Sequence, residues 1–166
     1  CNVMRPIVRL YVLQPLLLQV ALQMFMFNKI RLKMASKRAY IQANKDWLNN
    51  KAKEKDVLPL SNGIYYKVLE TGSPSGLMPT VRSIVTAHYT GRTIDNRVFD
   101  TSRGGVPLAC RLCDLIQGWI VAMQPMHVGD KWEVYIPAEM GYGKFSQPGI
   151  PAGSTLIFEI ELLACD

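Results

Sequence analysis

Histidine is scarce in this chain. His88 and His127 are the only two among 166 residues, and neither stands in an HExxH or GxSxG context, which excludes metalloprotease-type and acyl-enzyme hydrolysis. Walker and GxGxxG loops are missing too, and Arg103-Gly104-Gly105 reads as a flexible turn rather than a phosphate cradle. Four cysteines are too few for a disulfide scaffold. A chain of this length buries roughly 68–70% of its unfolded surface, so its core needs neither disulfide nor metal. Charged residues make up 19% against 49% hydrophobic ones, a globular composition rather than a disordered one. No repeat and no low-complexity tract appears.

Acidic residues are missing from one region altogether. Residues 1 to 33 contain Arg5, Arg9, Lys29, Arg31 and Lys33 with no Asp or Glu, and so hold five of the six net positive charges. The rest of the chain is close to neutral and lacks the basic face that nucleic-acid binding requires. Leu10 to Phe27 is uncharged, though interrupted by Gln14, Pro15, Gln19 and Gln23. Residues 1–33 thus form an apolar and basic N-terminal segment open to three readings. As a membrane anchor, its excess of Lys and Arg after the apolar run would keep the body in the cytoplasm. As a secretory signal, it lacks a small-x-small cleavage site. As a stretch upstream of a start at Met34-Ala35-Ser36-Lys37, it would not belong to the working protein, and this reading is favoured. The expected location is cytoplasmic, with a membrane-anchored or periplasmic body as the alternative and membrane contact only through residues 1–33.

Two further segments follow, a helical extension over 34–60 and the main domain over 61–166. Ser36 reads as an N-cap, and Ala39, Tyr40, Ala43, Trp47 and Leu48 recur at helical spacing toward Pro59. This amphipathic helix would serve as a lid on the main domain or as the contact of a homodimer. From Ile64 the period changes to two. Ile64 to Leu69, Ser83 to Thr90, Arg97 to Asp100, Trp132 to Ile136 and Thr155 to Leu163 read as strands, with Asp95-Asn96 as a tight turn. Asp114 to Met123 reads as a short helix. The expected fold is α+β: an antiparallel sheet of about five strands wrapped around one short helix.

Tyr89, Phe99, Trp119, Tyr142 and Phe158 lie on different elements, and the alternation lets all of them face inward. That pattern describes either plain core or an apolar pocket with Trp119 as its floor and Asp100 as a lone polar anchor. Cys110 and Cys113 form a CxxC that lacks two further zinc ligands and a βαβ setting, so both are read as small core hydrophobes, with a thiol oxidoreductase as the competing possibility.

The blocks Ala87-His88-Tyr89-Thr90-Gly91, Val98-Phe99-Asp100-Thr101-Ser102, Leu115-Ile116-Gln117-Gly118-Trp119, Gly141-Tyr142-Gly143 and Thr155 to Leu163 resemble, in order and spacing, the FKBP-type peptidyl-prolyl cis-trans isomerases. Trp132 to Pro137 is similar to the bacterial members in particular, and the preceding helix to their N-terminal helical extensions. The resemblance covers Gly63 to Leu163 and implies a half-barrel sheet, isomerase activity in protein folding on proline-containing polypeptides, and no cofactor or metal. Carried over by position, it implies Trp119 as floor, Tyr89, Phe99, Tyr142 and Phe158 as walls and Asp100 as anchor, with Tyr142 also donating its hydroxyl. Leu115 and Ile116 would edge the pocket, the backbone N–H of Ile116 binding a carbonyl, and Ile150 would form an overhanging lip. Leu108 and Cys110 replace aromatics common in the family, and Gln147 a common histidine. Those departures make the pocket more aliphatic and macrolide binding a less direct expectation than isomerisation. A binding or chaperone module of the same fold with little isomerase activity is the alternative.

Overall fold

From residue 16 to residue 58 the chain has neither glycine nor proline, so nothing local interrupts a helix. The computed structural model describes residues 7–166, with side chains from residue 17 onward. Arg5 lies outside the described residues, as do the side chains of Arg9 and of the apolar run as far as Leu16. Helix α1 (Ile7–Lys51) passes straight through Ser36. Ser36 is therefore not an N-cap: a serine caps only where the chain before it leaves the helix, and here Leu, Met, Gln and Lys, all good helix formers, precede it.

The chain divides into two compact units between Ala39 and Tyr40. In the first, the helix exposes Leu17, Leu22, Phe25, Phe27 and Ile30 among other apolar side chains. Among the described residues no helix is long and apolar enough to cross a membrane.

The second unit is built on a single antiparallel sheet. Its strands are β1 (Leu58–Pro59), β2 (Tyr65–Glu70), β3 (Ile84–Arg92), β4 (Val98–Thr101), β5 (Leu108–Arg111), β6 (Lys131–Ile136) and β7 (Leu156–Cys165). They run in the order β1-β2-β6-β7-β3-β4, with β5 pairing β3. The α+β expectation holds, and two short edge strands add to it: Leu58–Pro59 carries a proline, and Leu108–Arg111 reads Leu-Ala-Cys-Arg, with no polar and apolar alternation in its sequence. β7 lies between β6 and β3, with Phe158 opposite both Val134 and Gly91. Its inward positions Leu156, Ile160 and Leu162 are completely buried, each contributing roughly 1.5–3 kcal/mol. Helix α2 (Gln117–Met123) lies against that face and buries Trp119, Ala122 and Met123.

The opposite face is divided. Leu48 and Val57 pack with Tyr135 and Ile157, and Trp47 meets Tyr135 edge to face at 5.8 Å. Beyond them the face is ionic: Arg92 pairs with Glu133, Lys131 bridges Glu70 and Glu159, and Arg103 bridges Glu159 and Glu161.

Asn44 fastens the helix segment to the sheet. It is 1% exposed; its Nδ2 donates to the Tyr40 carbonyl at 2.9 Å, and its Oδ1 accepts the Thr155 N–H at 2.8 Å. Removing the side chain strands a buried N–H just before β7. Asn44→Ala is expected to lower the unfolding free energy by about 1–3 kcal/mol in urea titrations, the cost of an unsatisfied buried donor. Gln42→Ala, on the exposed side of the same helix, should stay within ~0.5 kcal/mol.

Candidate functional site

Where β3, β4, β7 and α2 meet, side chains fail to fill the space, leaving a cleft of about 200 Å³ lined by Tyr89, Phe99, Asp100, Leu108, Leu115, Ile116, Trp119, Tyr142 and Phe158. Nine of the ten residues singled out from the sequence line it. Ile150 does not; it is 4% exposed and belongs to the core.

The rings stand edge to face. Trp119 is 5.2 Å from Tyr89 and 5.3 Å from Phe158 between centroids, at 83° and 84°, and Phe99 meets Phe158 at 5.6 Å and 87°. Each such pair is worth about 0.5–1.5 kcal/mol beyond its buried area, which fixes the wall geometry without any ligand. Trp119 is 3% exposed because neighbouring rings surround its edges, yet it still borders the cleft.

Two glycines permit this approach. A Cβ at Gly91 would lie 2.6 Å from the rings of both Phe99 and Phe158, and one at Gly118 would lie 2.4 Å from Ile136 Cγ2. Gly91 lets two walls touch, and Gly118 lets α2 settle onto β6 with Trp119 at the required depth.

The charged lining residue is committed. Tyr89 donates its hydroxyl to Asp100 Oδ2 at 2.6 Å. Burial, and after it the hydrogen bond and charge of Asp100, push the Tyr89 phenol up to about 12. Behind this pair, Ser102 Oγ accepts the Tyr89 N–H at 2.9 Å and contacts His88 Nδ1 at 3.0 Å, and the Ser102 N–H donates to the Tyr89 carbonyl. His88 thus helps to bind β4 to β3. His127 sits in a turn organised by the buried Asp130 carboxylate, which accepts the N–H groups of Gly72 and His127. Among the described residues the Tyr142 hydroxyl and the Ile116 N–H have no hydrogen-bond partner; both groups belong to cleft-lining residues.

Above Phe99 lies the loop after Tyr142. Arg97 donates to the Gly149 carbonyl at 3.0 Å, Gln147 and Ile150 exchange backbone bonds at 2.9 Å, and Gly153 N–H reaches the Gly143 carbonyl at 2.8 Å. Sequence reasoning missed Arg97, Ser102 and the close approach at Gly91; only Ser102 and Gly91 fell within recognised blocks.

The cysteines behave differently from one another. Cys110 is half-buried, and burial pushes its thiol up. Cys113 is exposed rather than core, because it follows β5 in the short turn Leu112–Asp114, where Leu112 alone points inward. A raised thiol at the end of a strand is the opposite of an activated redox pair. Among the described residues no group of three His, Cys, Asp or Glu side chains could hold a metal ion.

An antiparallel sheet packed on one short helix, with an aromatic cup between them whose one carboxylate is engaged by Tyr89, defines a binding domain for an apolar group. Comparison with known proteins makes this specific. Residues 77–163 match the family described as FKBP-type peptidyl-prolyl cis-trans isomerase. The isomerase FkpA of Escherichia coli K12 is 41% identical over 120 residues, covering 72% of this chain and 44% of that protein. The outer membrane protein MIP of Legionella longbeachae is 37% identical over 128 residues, covering 76% of this chain and 51% of that one. The crystal structure of a peptidyl-prolyl cis-trans isomerase from Pseudomonas syringae superposes with a TM-score of 0.72 at 32% identity, covering 78% of this chain and 95% of that one. The chain belongs to the FKBP-type peptidyl-prolyl cis-trans isomerase family, and it spans about half the length of the two curated relatives.

The relatives also correct the expected cytoplasmic location. Kin such as the outer membrane protein MIP belong to the cell envelope. The expectation rests on a start at Met34, or on an anchor whose basic residues keep the body inside, and neither reading bears on the compartment unless it is itself correct.

The Tyr89–Asp100 bond can be read directly. In a spectrophotometric pH titration, Tyr89 is expected to ionise near 12, against an ordinary phenol at about 10. Asp100→Asn should bring it partway down, leaving the part due to burial. Because the folded value is the raised one, the stability this contributes is intact below about pH 10 and lost as pH climbs through the folded value.

Proposed function

We propose that this protein catalyses the cis-trans isomerisation of X-Pro bonds in proline-containing polypeptides. The observation that carries this reading is the cleft itself: an edge-to-face cup of rings, apolar except for one carboxylate already engaged by Tyr89.

Rotation about an amide faces ~18–20 kcal/mol because the C–N bond is partly double, and an X-Pro bond crosses this barrier in ~10–100 s. No bond to the protein is needed. As the amide twists, resonance is lost, the nitrogen becomes pyramidal and the carbonyl becomes less polar. A water-poor pocket therefore favours the twisted amide over the planar one. In this reading the prolyl ring rests on Trp119 between Tyr89, Phe99 and Phe158, with Leu108 as an aliphatic side and Leu115 at the edge. The Ile116 N–H and the Tyr142 hydroxyl, both without a partner among the described residues, serve as the donors that hold the carbonyl ends of the substrate. Asp100 acts through Tyr89, keeping that hydroxyl turned away from the prolyl ring. Ile150 supports the lip of the overhanging loop from below. Each ~1.4 kcal/mol of preference for the twisted amide gives a tenfold rate gain.

The apolar side chains exposed by α1 support its use as the contact of a homodimer. Macrolide binding is secondary to isomerisation in this reading, since Leu108 offers such a ring system less aromatic surface.

A protease-free assay of proline-limited refolding tests the proposal. The protein is expected to accelerate the slow phase catalytically, and Phe99→Ala or Tyr142→Ala to lower kcat/KM by more than about tenfold, the equivalent of ~1.4 kcal/mol, with circular dichroism unchanged. If the unaltered protein leaves the slow phase as it is, the domain is a binding module and not an isomerase.

A further inference from the structure

Among the large apolar side chains of the domain, Phe145 is unusually bare at 76% exposure, although the backbone around it is firmly held. Its N–H donates to the Tyr142 carbonyl at 3.1 Å. Seven residues after Tyr142, the same loop rests on a second wall: a Cβ at Gly149 would lie 3.2 Å from Phe99 Cβ, and Arg97 grips the Gly149 carbonyl at 3.0 Å. Farther along, the Ala152 N–H donates to Ser146 Oγ at 3.2 Å, and Ile150 is sunk in the core. Phe145 therefore rides on a strapped loop that begins at one wall of the cleft and returns over another. Between Gly141 and Pro151 the only charge is Lys144. Solvent exposure of a phenylalanine gains nothing for folding, and an aromatic carried on a preorganised loop loses little freedom when it binds.

We propose that Phe145 is a client-binding residue on the loop that begins at Tyr142 and returns over Phe99, receiving an apolar side chain of an unfolded polypeptide a few residues from the proline. This rests on the isomerase reading and adds a specificity element to it: clients with apolar residues flanking proline are captured more tightly than clients with polar ones. Phe145 takes no part in the twist of the amide, so its contribution falls on KM rather than on kcat.

The test uses the full chain in proline-limited refolding of an unfolded protein client, with Phe145→Ser, Phe145→Leu and, as a control, Leu77→Ser, another exposed apolar residue outside the cleft lining. Phe145→Ser is expected to raise KM roughly three- to tenfold, the scale of part-burying one aromatic side chain, while Phe145→Leu recovers most of the loss and Leu77→Ser changes nothing. An unchanged KM for Phe145→Ser, or an equal loss for Leu77→Ser, overturns the inference while leaving the isomerase reading intact. If the unaltered protein fails to speed the isomerisation of a short X-Pro peptide, the isomerase reading fails and this inference goes with it.

Discussion

Aromatic rings close edge to face only when the backbones carrying them come within a few ångströms, and here that distance depends on side chains that are absent. A methyl group at Gly118 would collide with Ile136 at 2.4 Å, and one at Gly91 with Phe99 and Phe158 at 2.6 Å. The first contact sets the depth of α2, hence of Trp119; the second sets the spacing of the walls that flank it. Close packing makes these distances stiff, because a core cannot absorb an added methyl without moving neighbours off their rotamers. The cleft is a packed object with one side left open, not a gap between loosely placed parts.

Alternation along the strands gives each face of the sheet a separate task. On β7, Phe158, Ile160 and Leu162 point toward α2, whereas Glu159 and Glu161 point away and meet Arg103 and Lys131. Those ion pairs are partly exposed, each worth at most about 1 kcal/mol, so they keep the outer face soluble and in register rather than stabilise the fold. The stabilising burial lies on the inner face and in the smaller cluster of Leu48, Val57, Tyr135 and Ile157. Tyr135 donates its hydroxyl to Glu133 at 2.6 Å, and burial pushes its phenol well up, so the ionic and apolar parts of that face meet at a bonded hydroxyl, while among the described residues Arg92 Nε beside them is buried without a hydrogen-bond partner.

Much of this was legible because two periodicities and one composition cue are local. The strands from Ile64, Ser83, Trp132 and Thr155 announced themselves by alternation, and Tyr89, Phe99 and Phe158 by their positions on strands, whereas Trp119 lies on α2 and Tyr142 in the turn after β6. Other features depend on contacts that span the chain. Asn44 reads as one more polar residue on a helix, and only the Thr155 N–H, 111 residues away, reveals its role. The helix through Ser36 was cut short in the sequence reading because a capping residue was given more weight than the unbroken run of helix formers before it. Cys113 reads as core once the zinc and redox readings of the CxxC lose support, yet the turn after β5 directs Leu112 inward instead. Location was the least legible property, since nothing in an FKBP-type body depends on the compartment around it.

The engagement of Asp100 explains how a largely apolar cleft can include a carboxylate without a bare charge on its wall. A carboxylate with no donor of its own would draw water into the cleft, and water stabilises a planar, polar amide better than a twisted one. Bonded to the Tyr89 hydroxyl at 2.6 Å, the charge has its own donor. The phenol, raised to about 12, keeps its proton throughout the physiological range, so the pair persists as a hydrogen bond and never becomes two facing anions. The ring of Tyr89 stands edge to face with Trp119 at 5.2 Å, and its polar end is held by Asp100. A single short hydrogen bond thus does two things at once: it orients a wall, and it keeps the one lining charge from hydrating the cup.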